Sequence, residues 1–159
     1  MTTSPTGNER GFTLVELALV TLVITILVAA TAPRLHHTAQ RLRIERAAAE
    51  AAHLFRAAHE DAVAGAQPIV WRWEDEVRRA RVRTADDGPV VFESGPVPDA
   101  IAVRLAQGGE PVACACVRFF PDGTSDGGRL TLSGPEGAYD VSVDAATSQV
   151  AIAAGPAAH

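Results

Sequence analysis

The run from Phe12 to Pro33 constrains the fold of this chain most. It has 22 residues, 16 of them apolar, and Glu16 is its single charged residue. As a helix it would rise about 33 Å, close to the roughly 30 Å hydrocarbon core of a bilayer. The other 137 residues have the ordinary composition of a soluble domain. The sequence therefore predicts a transmembrane helix over residues 12–33, followed by a soluble domain.

A cleaved secretory signal peptide is the alternative interpretation of this run. Ala30 and Ala32 have the small-residue spacing of a cleavage site. However, Glu9 offsets Arg10 in the segment before the run, and the apolar stretch is longer than that of a usual signal peptide. These features favour a helix that is retained.

Glu16 is the anomaly of the apolar run. A charged residue at mid-membrane costs roughly 2.5–3.5 kcal/mol on insertion scales, and such residues are candidates for a function. Glu16 lies four residues from the start of the run, so its cost is smaller. A glutamate tolerated at the membrane interface, with its carboxylate reaching toward water, is the alternative.

The residues around Glu16 carry a recognisable motif. The sequence Gly11-Phe12-Thr13-Leu14-Val15-Glu16 resembles the cleavage and methylation motif of type IV prepilins and type II secretion pseudopilins. The resemblance implies that a prepilin peptidase cuts between Gly11 and Phe12, and that Phe12 is then N-methylated. It also implies that Glu16 meets the N-terminal ammonium of a neighbouring subunit during assembly. Pro33 matches a proline common at this point of the family's helix.

The arginines that flank the run favour the opposite membrane orientation from the one that the motif implies. Only Arg10 precedes the helix, whereas four arginines closely follow it: Arg34, Arg41, Arg43 and Arg46. The positive-inside rule would place the C-terminal domain in the cytoplasm. The motif requires the opposite, because the peptidase acts on the cytoplasmic side. We therefore expect a single-pass inner-membrane protein with a cytoplasmic N-terminus and a periplasmic head.

Residues 34–64 continue the helical pattern, because they contain no Gly or Pro and are rich in Ala. We predict one helix from about Thr13 to Ala64, ended by a left-handed cap at Gly65. Two stripes, apolar except for Arg46, step by three or four residues along it. The first is Leu35, Ala39, Leu42, Arg46 and Ala49, and the second is Ala47, Ala51, Leu54, Ala58 and Ala62.

After Pro68 the hydrophobic period changes from that of a helix to that of strands, with Gly, Pro and Asp turn signals in between. A long helix followed by antiparallel strands predicts an α+β fold with the helix covering a sheet. The predicted strands are 69–73, 77–84, 90–93, 101–105, 113–120, 129–132, 138–144 and 149–153.

The second half of the chain sharpens the resemblance. The stretch VRFFPDGTSDGGRLTL, residues 117–132, is similar to the head signature of GspH/FimT-type minor pseudopilins, and residues 139–150 are similar to that family's last hairpin. One departure is visible, since the family's usual Thr-Gly turn is Thr147-Ser148 here. The resemblance implies a pilin-like fold.

Cys114 and Cys116 are the chain's two cysteines. On an extended strand their Cα atoms would lie about 6.5–7 Å apart, at the edge of disulfide geometry, so a bridge would need a bulge or strain. We favour free, buried thiols over a strained disulfide.

Other constellations indicate no catalysis. Asp122, Asp126 and Asp140 are too sparse for a calcium loop, and the histidines lack metal-site spacing. The basic cluster of residues 78–83 is offset by nearby acids and predicts a solvated or salt-bridged strand. We expect no enzyme, no cofactor and no metal.

The sequence thus predicts four segments: a removed leader (1–11), the membrane and assembly helix (12–33), an amphipathic helix (34–66) and a β-rich head (67–159). The expected function is that of a minor pseudopilin, a structural subunit of the type II secretion pseudopilus. Its expected partners are the prepilin peptidase, other pseudopilins or pilins, and the inner-membrane assembly platform. The alternative is a minor type IV pilin that acts in pilus biogenesis or DNA uptake. The net charge of −5 argues against nucleic-acid binding.

Overall fold

The structure, a computed structural model, describes residues 12–85, 88–111 and 114–155; for residues 30–37 and 111 it describes the backbone alone. The chain divides into two units, one ending at Thr38 and one beginning at Ala39. Helix α1, Leu14–Gly65, begins in the first unit and ends in the second. Its bounds agree within one residue with the predicted helix.

The helix ends in a backbone reversal one residue later than predicted. Ala66 has a positive φ of 49°, and the Gln67 N–H donates to the Ala62 carbonyl over 3.3 Å. This bond closes the last turn as in a Schellman motif. The prediction of a left-handed cap at Gly65 was therefore wrong: Gly65 is still helical, and an alanine takes the left-handed position.

In the described residues after the helix there are nine strands, and eight of them match the predicted ones to within a few residues. The ninth, β5, is only two residues long and was not predicted. The strands are β1 (Ile69–Glu74), β2 (Arg79–Thr84), β3 (Val90–Glu93), β4 (Ala102–Gln107), β5 (Glu110–Pro111), β6 (Cys116–Phe119), β7 (Gly128–Gly134), β8 (Gly137–Val143) and β9 (Val150–Gly155).

The strands form two antiparallel sheets, where the sequence analysis expected one. The four-stranded sheet has the order β3-β2-β1-β6, and the five-stranded sheet has the order β5-β4-β7-β8-β9. Strand β6 pairs with β1, far back in the chain, rather than with β7. The α+β prediction is confirmed, and the division into two sheets arises from this long-range pairing.

One side of the helix packs on both sheets to make the core. Phe55 is fully buried, with its ring centroid 4.8 Å from that of Trp71 and 6.1 Å from that of Phe119. The second predicted stripe lies on this buried side, joined by Ile44, Ala48 and Ala52. The prediction that the first stripe also packs on the sheet was wrong, since its Leu42 is 57% exposed. An alanine-rich helix has small apolar residues on every side, so spacing alone does not identify the buried one.

Candidate assembly segment and head-domain loops

The start of α1 is capped by the motif residues themselves. Phe12 and Thr13 precede the helix, and the Glu16 N–H donates to Thr13 Oγ1 over 3.2 Å. This is one half of a capping box, with Thr at the N-cap and Glu three residues later. A carboxylate in the first turn also interacts favourably with the helix dipole. Glu16 therefore has a local structural role that the sequence analysis missed, although the spacing Thr-x-x-Glu signals it.

The side chains of the described part of this segment, residues 12–29, are exposed. Within the described residues the Glu16 carboxylate has no ion pair or hydrogen bond. Gly11 lies outside the described residues, as do the leader and the side chain of Pro33. The predicted cleavage site, methylation site and assembly roles thus stay predictions.

Among the residues that the structure describes, no helical stretch is both long enough and apolar enough to span a bilayer.

The head signature forms a loop whose first turn is shaped by hydrogen bonds among its own residues. Asp122 Oδ1 accepts from the backbone N–H of Thr124 over 3.0 Å and from its hydroxyl over 2.7 Å. The Phe120 N–H donates to the Thr124 carbonyl over 2.9 Å. These bonds lower the pKa of Asp122, mainly through the Thr124 hydroxyl. The carboxylate is therefore used to shape the turn between β6 and β7.

A second loop, residues 144–149, binds to the first. Ser125 is buried, and its hydroxyl donates to the Asp144 carbonyl over 3.1 Å. From the other side, the Ser148 hydroxyl donates to the Gly123 carbonyl over 2.9 Å. The two stretches in which the sequence resembles the GspH/FimT heads are thus joined into one unit.

The Asp144 side chain holds the second loop in shape. Its Oδ1 accepts from the Ala146 and Thr147 backbone N–H groups and from the Thr147 hydroxyl, at 3.1, 2.9 and 2.8 Å. The Thr147 hydroxyl is the largest cause of a lowered pKa for Asp144. Ser148, in the place of the family's glycine, has a left-handed φ of 52°.

The acidic residues considered for calcium do not converge. Asp122 bonds within its own turn, whereas Asp140 accepts from the Thr131 hydroxyl over 2.7 Å and faces Arg129 at 4.0 Å. Over residues 12–85, 88–111 and 114–155, no group of three or more His, Cys, Asp or Glu side chains is placed to hold a metal ion. His53 is exposed, and half-buried His59 packs edge-on against Phe119.

Cys114 and Cys116 form a disulfide, so the favoured interpretation of free thiols was wrong. Their Cα atoms are 5.4 Å apart, shorter than two residues of an extended strand span. The chain is bent at Cys114, and β6 begins only at Cys116. This explains why the predicted strand of residues 113–120 is reduced to four residues.

The basic cluster is salt-bridged, as the sequence predicted. Arg79 pairs with Glu93, and Arg81 lies between Glu74 at 2.5 Å and Glu93 at 3.1 Å. These pairs lower the pKa of Glu93, with the Arg79 hydrogen bond as the largest cause. Arg78 instead donates to the carbonyls of Pro98 and Ile101 and anchors the 95–101 loop.

Comparison with known proteins identifies the family. The model of the family described as "Type II transport protein GspH" matches residues 47–147, well over half of the chain. The chain belongs to this GspH family. The model of the prokaryotic N-terminal methylation motif matches residues 6–32 of the same chain. Both resemblances noted in the sequence are thereby confirmed. No curated protein matches the chain significantly in sequence.

Solved structures show the same fold. The minor pseudopilin EpsH from the type 2 secretion system of Vibrio cholerae superposes with a TM-score of 0.56 at 13% identity, covering 70% of this chain and 97% of EpsH. The type IV minor pilin FimU of Pseudomonas aeruginosa gives 0.55 at 13% identity, covering 74% and 91%. At such identities the likeness establishes a pilin-like fold.

Proposed function

We propose that this member of the GspH family is a minor pseudopilin, a structural subunit of a type II secretion pseudopilus. The observation that carries the proposal is the presence on one chain of an N-methylation motif at residues 6–32 and a GspH head at residues 47–147. The motif directs cleavage of the leader and keeps the apolar helix on the mature chain. The head provides the surface by which other subunits recognise this one in a fibre. Its role is assembly rather than catalysis.

Processing by a prepilin peptidase is the first step of this proposal. The peptidase cuts after Gly11, Phe12 becomes the N-terminus and receives a methyl group, and residues 12–33 anchor the chain in the inner membrane. The capped helix start supports this arrangement, since Thr13 and Glu16 order the backbone directly behind the new terminus. Assembly then proceeds through the inner-membrane platform with other pseudopilins.

Mass spectrometry of the membrane-extracted protein tests the processing step. We expect an N-terminal methyl-Phe12 when the peptidase is co-expressed and an intact leader when it is not. Gly11→Leu should block cleavage, whereas Gly7→Leu, the same change within the leader, should leave it intact. A mature chain that starts near Pro33 would instead show a discarded signal peptide and would refute the proposal.

The orientation in the membrane needs its own test, because the arginines after residue 33 run against the positive-inside rule. Alkaline phosphatase fused to the C-terminus is active only outside the cytoplasm. We expect activity from the fusion. An inactive phosphatase fusion, together with full activity of a cytoplasmic reporter at the same site, would show that the C-terminal domain lies in the cytoplasm.

A minor type IV pilin is the second candidate, favoured by the structural likeness to FimU. DNA uptake would call for a basic binding surface with strongly salt-dependent affinity. Strand β9, Val150–Gly155, carries no charged residue, and the chain as a whole has a net charge of −5. Deletion of the gene separates the candidates: loss of secretion with normal pili supports the pseudopilin, and the reverse outcome supports the pilin.

A further inference from the structure

The four-stranded sheet has an outer face rich in arginine. Trp71, Val82 and Val117 are fully buried on the side that faces the helix, so their strand neighbours point outward. The outward positions hold five arginines and two glutamates, which we call the arginine face: Arg72, Arg79, Arg81, Arg83, Arg118, Glu74 and Glu93.

The charge of this face opposes that of the chain. Five arginines against two glutamates leave a formal charge of +3, while the whole chain carries −5. The register places Arg72 directly opposite Arg81 on the neighbouring strand. Like charges in directly opposed positions are destabilising, and of this pair only Arg81 has carboxylate partners among the described residues, Glu74 and Glu93.

The two glutamates are already engaged by the arginines of β2. Glu74 pairs with Arg81 at 2.5 Å and with Arg83 at 3.5 Å, and Glu93 pairs with Arg79 and Arg81. Within residues 12–85, 88–111 and 114–155, the side chain of Arg72 has no ion pair or hydrogen bond. Its other register neighbour is Cys116, a member of the disulfide. Neither residue directly opposite Arg72 on the adjacent strands is acidic, and Glu74, two residues along the same strand, is already paired with Arg81 and Arg83.

Packing beneath the face holds its shape. Val70 is an outward position, yet it is only 3% exposed. Its register neighbours on the two sides are Arg83 and Arg118, whose aliphatic stems can cover an apolar side chain while the guanidinium groups stay in water. An arginine fixed in this way loses less conformational entropy on binding a partner.

We propose that the arginine face is a docking surface for a carboxylate-rich segment of another protein, with Arg72 at its centre. The face already binds two carboxylates between its arginines, so a third, from a partner, fits Arg72 by the same geometry. The four strands span a width of only about 14 Å, so the face is small beside the surface that a DNA interface buries. This docking does not depend on cleavage at Phe12 or on assembly into a fibre.

Binding of a fluorescent peptide of eight glutamates to the full chain in non-ionic detergent tests the proposal. We expect saturable binding that weakens as salt rises, and no binding of an eight-glutamine peptide. Arg72→Gln should weaken binding at least about tenfold, the loss expected for one charge-assisted hydrogen bond. Arg104→Gln makes the same change at an exposed position on β4 of the other sheet, and should change the affinity less than about twofold.

A second measurement is independent of the variants. In the wild-type chain, the Nε–H resonance of Arg72 should move on titration with the glutamate peptide while that of Arg104 stays in place. Equal losses for the two variants, an unmoved Arg72 resonance, or absence of peptide binding would each overturn the proposal. Tighter binding of a short DNA duplex than of the peptide at the same salt would also overturn it, in favour of nucleic acid.

Discussion

Two aspartates, Asp122 and Asp144, act as internal caps of the loops that define the head. Each accepts from a backbone N–H and from the hydroxyl of a threonine two or three residues later. The same residue types in a sequence can indicate calcium, and they differ from a calcium loop only in the number of oxygens that converge. Here the oxygens bond to their own turns, so their chemistry is conformational.

Because the pKa of Asp144 is lowered, the contribution of the 144–149 loop to the stability of the fold depends on pH. A carboxyl group with a folded pKa below its unfolded value stabilises the fold above the unfolded pKa, and this contribution is lost as the pH falls through the folded pKa. Thr147→Val removes the largest cause of the shift. We expect the pKa of Asp144 to rise toward its ordinary value and the acid-induced loss of stability to become smaller.

Carboxyl NMR titration measures this effect residue by residue. Thr124→Val is the matched control, because it removes the equivalent hydroxyl from Asp122. It should raise the pKa of Asp122 and leave that of Asp144 unchanged. A rise of both pKa values in either variant would show that the two loops titrate through a shared change in conformation.

Ser148 combines an unfavourable backbone with a favourable contact. Its left-handed φ of 52° costs an L-residue roughly 1–2 kcal/mol, while its hydroxyl bond to the Gly123 carbonyl contributes about 1 kcal/mol. Ser148→Ala keeps the strain and loses the bond, so we expect a loss of about 1 kcal/mol. Ser148→Gly loses the bond but relieves the strain, and should be less destabilising by about 1 kcal/mol. Urea unfolding of the two variants would contradict this account if they were equally destabilised.

At the scale of elements, the end of α1 offers a stabilising change. Ala66 holds the left-handed position after the helix, which glycine occupies at lower cost. Ala66→Gly should raise the free energy of unfolding by about 0.5–1 kcal/mol. Ala64→Gly, the same change two residues earlier within the helix, should lower it by about 1 kcal/mol. Thermal or urea unfolding should therefore move in opposite directions for the two variants.

Much of the element pattern could be predicted because it is encoded locally. The Ala-rich stretch predicts the helix, and alternation between turn signals predicts eight strands. The pairing of β1 with β6 could not be predicted in this way, because it joins residues nearly fifty positions apart. The left-handed position at Ala66 was missed because propensity favours the glycine beside it. The disulfide was missed because an extended strand was assumed at Cys114.

At the scale of the whole molecule, the candidate assembly segment could be predicted better than the surface of the head. The segment is contiguous in sequence, so its motif can be recognised without a structure. The arginine face draws residues from β1, β2, β3 and β6, and only their register brings Arg72 opposite Arg81. The basic cluster of residues 78–83 supplies three of its arginines, but Arg72 and Arg118 lie on other strands, and the sequence alone does not show that they join the same face.

Glu16 links the residue scale to the proposed assembly, because its backbone N–H is capped by the Thr13 hydroxyl while its carboxylate takes no part in that bond. The Glu16 N–H bonds to Thr13 Oγ1, and this bond does not need the carboxylate. We therefore expect Glu16→Val to insert and be processed normally but to enter fibres at least about tenfold less well, because the charge that would meet a neighbouring N-terminus is gone. Thr13→Val removes the cap and keeps the charge, and should assemble almost normally. Co-assembly of Glu16→Val at the wild-type level, measured by its yield in isolated fibres, would show that the Glu16 carboxylate is not needed for assembly.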